Sequence, residues 1–146
     1  MPESYPTLRD LRVGDAMHPG LVSCSVDTPL RDVARMMATY RVHAILVTAH
    51  DGEVTSGQPW GVVSDLDLLR AAETADVAAT SAREVAGTPV VMVAADQALA
   101  HAAGLMAERE VSHLLVVEPQ SRRPFGVIST LDLARALAGF PERHPS

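Results

Sequence analysis

The feature that most constrains this chain is that it matches itself. When the 146-residue sequence is slid by 69 positions, Asp27 falls on Asp96, Leu30 on Leu99 and Ala34 on Ala103. Met37 falls on Met106, Val42 on Val111, Leu46 on Leu115 and Val47 on Val116. The offset then becomes 65, and Trp60–Ala71 falls on Phe125–Ala136 with 8 of 12 positions identical. Self-similarity at a fixed period marks a fold built by duplication. The change of offset is a loop four residues longer in the first copy, His50–Gln58, whose polar and Gly-rich composition suits a hairpin connection. Each copy has about 60 residues, which is marginal for an independent core, so the copies are expected to pack on each other. The chain accordingly divides into a tail 1–11, a repeat 12–72, a linker 73–80, a second repeat 81–138 and a tail 139–146.

Periodicity supplies the elements of each copy. Leu21-Val22-Ser23-Cys24 reads as a short extended run. Thr28-Pro29 reads as a helix start, with Thr as N-cap and Pro in the first turn. Leu30, Val33, Ala34 and Met37 share one helical face, and Leu99, Ala102, Ala103 and Met106 repeat it. Apolar strands follow at 42–47 and 111–117, then at 60–63 and 125–128, and a second helix opens at Ser64 and Ser129. Short connections make each pair of central strands an antiparallel hairpin. The fold class is α/β: a strand–helix–strand–strand–helix unit, twice, packed as one disc.

Composition narrows the function. Aromatics are 3% against 47% hydrophobic residues, so the core is aliphatic. A net charge of −6 argues against nucleic acid as a partner, which needs a basic face. All 12 basic residues are Arg, and without Lys no Schiff-base enzyme, P-loop or kinase phosphate clamp can operate. Cys24 is alone, which rules out an internal disulfide and a Cys-based zinc cage. No run of about 18 apolar residues is present to span a membrane. The start, Met1–Pro6, has neither basic nor apolar character, so no secretory signal is read and a cytoplasmic location is expected.

The sharpest motif is Gly61-Val62-Val63-Ser64-x-x-Asp67 and its copy Gly126-Val127-Ile128-Ser129-x-x-Asp132. Ser-x-x-Asp is close to a capping box, a purely structural device. The same geometry also suits a ligand. A helix N-terminus offers free N–H groups to an anion, the Ser hydroxyl can donate to a phosphate, and the Asp can accept from two vicinal hydroxyls. Arg70 and Arg135 follow their Asp by three positions, where each can neutralise a phosphate or pair with that Asp.

With these residues in view, the chain resembles a tandem pair of CBS (cystathionine-β-synthase-type) domains, a Bateman module. Val13-Gly14-Asp15-Ala16-Met17 looks like the family's opening V-x-D-x-M, and Val111–Glu118 looks like its I-S-H-L-P-V-V-D strand. Both Gly-h-h-Ser-x-x-Asp segments look like its nucleotide motif, and the likeness covers about residues 12 to 138. The resemblance implies pseudo-twofold repeats with clefts between them that hold AMP, ADP, ATP or S-adenosylmethionine. Carried over by position, Ser64 and Asp67 would serve one cleft, and Ser129 and Asp132 the other. Residues near Val22 and Val91, and near His43 and His113, would flank the base. The family's strand Pro is Leu46 and Leu115 here, and Ala44 stands where the second copy has His113, so the clefts are not expected to be equivalent.

The expected function is therefore a sensor without catalysis of its own. It would need no cofactor beyond the nucleotide, with magnesium accompanying ATP, and would form a homodimer that signals to an unidentified effector protein. Two alternatives stand beside it. One is an oligomerisation protein whose Ser-x-x-Asp segments only cap helices. The other is a zinc-responsive protein, its site assembled across copies from residues such as His18 and His43. Cys24 reads as a small strand residue, Met36, Met37 and Met106 as core, and Trp60 and Phe125 as hairpin flanks.

Overall fold

The structure, a computed structural model, describes residues 7–49, 59–87 and 90–139. The long hairpin loop of the first copy, with His50, lies outside the described residues, as do residues 1–6 and 140–146. The element order is α1 (Val13–Ala16), β1 (His18–Pro19), β2 (Ser23–Ser25), α2 (Leu30–Tyr40), β3 (Ala44–Thr48), β4 (Pro59–Ser64) and α3 (Asp65–Thr74). The second half contains α4 (Ala82–Val85), β5 (Met92–Ala94), α5 (Leu99–Arg109), β6 (His113–Val117), β7 (Pro124–Ser129) and α6 (Thr130–Leu137). The predicted strand–helix–strand–strand–helix order is thus present twice, each time preceded by a one-turn helix that periodicity did not reveal.

The chain folds as two compact units: residues 21–90, and residues 1–20 together with 91–146. The 21–90 unit has one sheet in the order β2-β3-β4, with β2 parallel and β4 antiparallel to β3. The other has the order β1-β7-β6-β5, with β5 parallel to β6 and β7 antiparallel to it. Both predicted hairpins are present, each with a register shift at the same place, Val47/Thr48 and Val116/Val117.

Each core is aliphatic, as the composition required. In the 21–90 unit Leu30, Val33 and Met37 of α2 pack with Cys24, Val26, Ile45, Val47, Val63 and Ala82. In the other unit Leu99, Ala102 and Met106 of α5 pack with Val13, Met17, Val93, Leu114, Val116, Ile128, Leu133 and Ala136. The predicted helical faces are the ones that point inward. Both helices end on a residue in the left-handed conformation, Arg41 (φ 55°) and Glu110 (φ 54°), whose N–H returns to the carbonyl of Met37 or Met106.

The helix starts differ from expectation. Thr28 does not cap α2; the N-cap is Pro29, and the Thr28 hydroxyl lies 3.3 Å from Ser25 Oγ. The first amides of α2 are taken by main-chain carbonyls of the expected linker: Leu30 N–H by Thr80 (2.8 Å) and Arg31 N–H by Val77 (3.0 Å). In α5, Leu99 N–H goes to Leu11 (2.8 Å) and Ala100 N–H to Leu8 (2.8 Å). The pairs are equivalent under the 69-residue period, but each capping segment precedes the other repeat. The short helices are exchanged likewise. Ala82 N–H bonds Thr28 O and Arg83 N–H bonds Val26 O, while Val13 N–H bonds Gln97 O and Gly14 N–H bonds Ala95 O. Sequence repeat and compact unit are therefore different cuts of the same chain. Leu8 and Leu11, within the segment read as a tail, pack on one core, and Val77, within the linker, packs on the other.

Candidate functional site

Both motifs sit where a strand runs into a helix. In the 21–90 unit β4 ends at Ser64, which caps α3; in the other, β7 ends at Ser129, which caps α6. The capping boxes are complete. Asp67 N–H donates to Ser64 Oγ (3.2 Å) and Asp67 Oδ2 accepts from Ser64 N–H (2.9 Å). Asp132 N–H donates to Ser129 Oγ (3.3 Å), and Asp132 Oδ2 accepts from Ser129 N–H (2.8 Å) and from its hydroxyl (3.1 Å). This satisfies helix-end donors that would otherwise lack partners.

Beyond the box the two ends diverge. Asp132 is buried, and its second oxygen, Oδ1, lies 3.0 Å from Nδ1 of His18 on β1. His18 stands opposite Val127 in the β1–β7 pairing. Asp67 is only half-buried, and no group among the described residues bonds its Oδ1. The reason lies in the repeat. The counterpart of Val127 is Val62, and the residue bridged to Val62 is Gly87, 69 positions after His18. Where one unit has an imidazole, the other has a hydrogen atom.

The first-turn amides differ too. In α3, Asp65 N–H donates to His43 O (2.9 Å), Leu66 N–H to Asp65 Oδ1 (2.8 Å) and Asp67 N–H to Ser64 Oγ, so none is left for an anion. In α6, Thr130 N–H donates to Ser112 O (3.0 Å), but Leu131 N–H has no acceptor among the described residues. The start of α3 carries two carboxylates, Asp65 and Asp67, against one, Asp132, at the start of α6, so the dipole at the α3 end is the more fully compensated.

The remaining candidates divide between the units. Val22 and Val91 are half-buried and equivalent: their carbonyls accept from Leu46 N–H (3.0 Å) and Leu115 N–H (3.0 Å). His43 and His113 are not equivalent. His43 precedes β3, and its Nδ1 lies 3.0 Å from Asp65 Oδ2; His113 opens β6 opposite Ser129, with Nδ1 3.0 Å from Ser112 Oγ. Arg70 is exposed and Arg135 half-buried, and neither forms the suggested ion pair with its motif Asp among the described residues. The Arg135 Nε–H is buried without an acceptor among the described residues. Among the described residues no three His, Cys, Asp or Glu side chains converge as a metal site. His18 and His43, the suggested zinc pair, each face a carboxylate instead.

Sequence reasoning passed over the role of His18 at the motif and the whole of Asp65. The signal for His18 was available in the alignment of the copies, where it falls on Gly87.

The sequence profile of the CBS domain matches residues 13–74 and again residues 82–139. No curated protein matches the chain significantly. Among solved structures, the chain is similar to an AMP-complexed CBS domain protein from Pyrobaculum aerophilum, with 28% identity and a TM-score of 0.71 over 88% of this chain and 98% of that one. It is similar to a CBS domain pair in complex with 5′-methylthioadenosine and S-adenosyl-L-methionine, with 17% identity and a TM-score of 0.74 over 88% and 97%. It is also similar to the CBS domain of a bacterial CNNM/CorC family Mg2+ transporter in complex with ATP, with 18% identity and a TM-score of 0.73 over 91% of each chain. The duplicated profile, covering most of the sequence, and the duplicated fold lead to one conclusion: the chain belongs to the CBS domain family, as a tandem pair.

Proposed function

We propose that this CBS pair is a regulatory module that binds an adenosine-containing ligand of the AMP, ADP, ATP or S-adenosylmethionine class and passes the change to a partner protein. The observation that carries the reading is Oδ1 of Asp67, which has no partner among the described residues, on a half-exposed side chain in the first turn of α3 beside Ser64. A carboxylate in that position accepts the vicinal hydroxyls of a ribose while its other oxygen keeps the helix capped. Ser64 and Asp67 hold the ribose, Val22 and His43 flank the base, and Arg70 offers a charge to a phosphate. Ser129, Asp132, Val91, His113 and Arg135 are the counterpart set. Support comes from the similar AMP complex at 28% identity. The role is binding rather than catalysis, and magnesium enters only with ATP.

Thermal unfolding with AMP, ATP and S-adenosylmethionine, each added separately, tests it. A ligand at 100 times its Kd stabilises by about 2.7 kcal/mol. Asp67→Ala is expected to abolish that shift. No shift with any of the three at millimolar concentration overturns the reading.

A second reading, an interaction module, rests on Leu66 and Leu69 of α3 and Leu131 and Leu137 of α6, which are large, apolar and exposed. A second copy of the chain is the simplest cover for them. A concentration-independent monomer mass by light scattering overturns it.

A further inference from the structure

We infer that His18 is a latch that closes the Asp132 motif to sugar hydroxyls, so that the pair takes one adenosine ligand, at Asp67, while the latch holds. The inference rests on the adenosine reading and specifies which site of the two is open. Three observations carry it. First, both oxygens of Asp132 are engaged: Oδ2 by the Ser129 amide and hydroxyl, Oδ1 by His18 at 3.0 Å. Second, the acid side chain is 2% exposed while the imidazole over it is 48% exposed, so the histidine is the only one of the two that solvent or a ligand can reach directly. Third, the equivalent position in the other unit is Gly87, which has nothing to place on Asp67.

The chemistry is one of competition. A ribose at Asp132 must first break a hydrogen bond between imidazole and carboxylate, which lowers its affinity there by roughly ten- to a hundredfold relative to an open carboxylate. At Asp67 no hydrogen bond to Oδ1 from the described residues has to be broken. The latch holds in either charge state of the imidazole, because Nδ1–H donates to Oδ1 in both the cation and one neutral tautomer.

Gly87 also offers a route to transplant the latch. Its backbone is not in the positive-φ region, and a Cβ there would meet only Val62 O at 3.7 Å, an ordinary contact. The test is calorimetric titration of the full chain with AMP. One AMP per chain is expected for the natural protein, lost in Asp67→Ala. A second AMP is expected for His18→Ala, and Gly87→His should weaken the Asp67 site at least tenfold. His18→Gln, which retains a donor amide, controls for a His18→Ala chain that fails to fold: it should stay at one AMP. A ligand-free arm reads the latch itself: in urea unfolding, His18→Ala and Asp132→Asn should be non-additive by at least threefold in the unfolding constant. Two equal AMP sites in the natural protein, no second site in His18→Ala, an unchanged affinity in Gly87→His or strict additivity each overturn the latch. If AMP, ATP and S-adenosylmethionine, titrated in turn, bind neither the natural protein nor His18→Ala, the adenosine reading falls, and the single-site inference with it.

Discussion

Asp67 and Asp132 occupy the same position in two copies of one motif, yet among the described residues one is a half-exposed carboxylate whose Oδ1 has no partner and the other a buried acid with both oxygens bonded. The difference does not arise in the motif, since both have Ser-x-x-Asp and both form the capping box. It arises from the strand beside the motif, where the duplication has put His18 in one copy and Gly87 in the other. A repeated motif therefore does not make a repeated site; the neighbour supplied by a distant segment decides what the shared residues can do.

The comparison makes its largest stability prediction at the acids themselves. Asp132→Ala empties a buried acceptor that serves two donors of half-buried Ser129 and the imidazole of exposed His18, and is expected to cost about 2–4 kcal/mol. Asp67→Ala removes half a capping box at a half-exposed position and should cost about 1 kcal/mol. Urea unfolding of the two variants checks the order, and equal losses would break the asymmetry.

The next effect lies in the strand pairing. A Cβ on Gly126 would meet Met17 Cε at 2.5 Å and His18 O at 2.6 Å. Since the second is backbone, Gly126→Ala must push β1 away from β7, at a cost of about 1–3 kcal/mol. Gly87→Ala meets only Val62 O at 3.7 Å and should change stability by less than about 0.5 kcal/mol. The same unfolding assay separates them. A Gly126→Ala chain as stable as the natural one would mean that β1 is not held where His18 needs it.

The smallest effect is a pH dependence confined to one unit. Cys24 of β2 is buried, and burial pushes its thiol above the ordinary 9.0, partly offset by a hydrogen bond with Thr28. The position 69 residues on is Val93, which does not titrate. Because the folded value is the higher one, the contribution is fully present below about pH 9 and is lost as pH rises through the folded value, by at most about 1.4 kcal/mol per pH unit. Cys24→Val, which copies the other unit, should flatten that slope above about pH 8, where an ordinary thiol begins to ionise, in a denaturation series. An unchanged slope would place the titrating group elsewhere.

How much of this was legible in the sequence depends on which atoms carry the interaction. The α2 and α5 faces were legible because Leu30, Val33, Met37 and their copies are spaced by the helical period, and those side chains fill the cores. The capping boxes were legible because Ser64, Asp67, Ser129 and Asp132 act through local side-chain bonds three residues apart. The start of α2 was misread because its acceptors are the main-chain carbonyls of Val77 and Thr80, and a carbonyl carries no residue signature. The same reason hid the exchange of α1 and α4 between the repeats. The state of Asp132 was hidden because it depends on a residue 114 positions earlier in the chain, read only as a candidate zinc ligand with His43.

The exchanged segments also set a timetable. The 21–90 unit contains its whole sheet, its helices and its capping carbonyls in one continuous stretch, so it has all its parts as soon as Val90 has been made. The other unit needs β1 and the Leu8 and Leu11 carbonyls from before the 21–90 stretch and β7 and α6 from after it. During synthesis at roughly 5–20 residues per second, its opening segment waits seconds for strands that do not yet exist, while its neighbour has already closed. The two copies, so alike in sequence, are thereby separated in contact order: one is assembled from nearby residues, and the other closes only after segments more than a hundred residues apart have both been made.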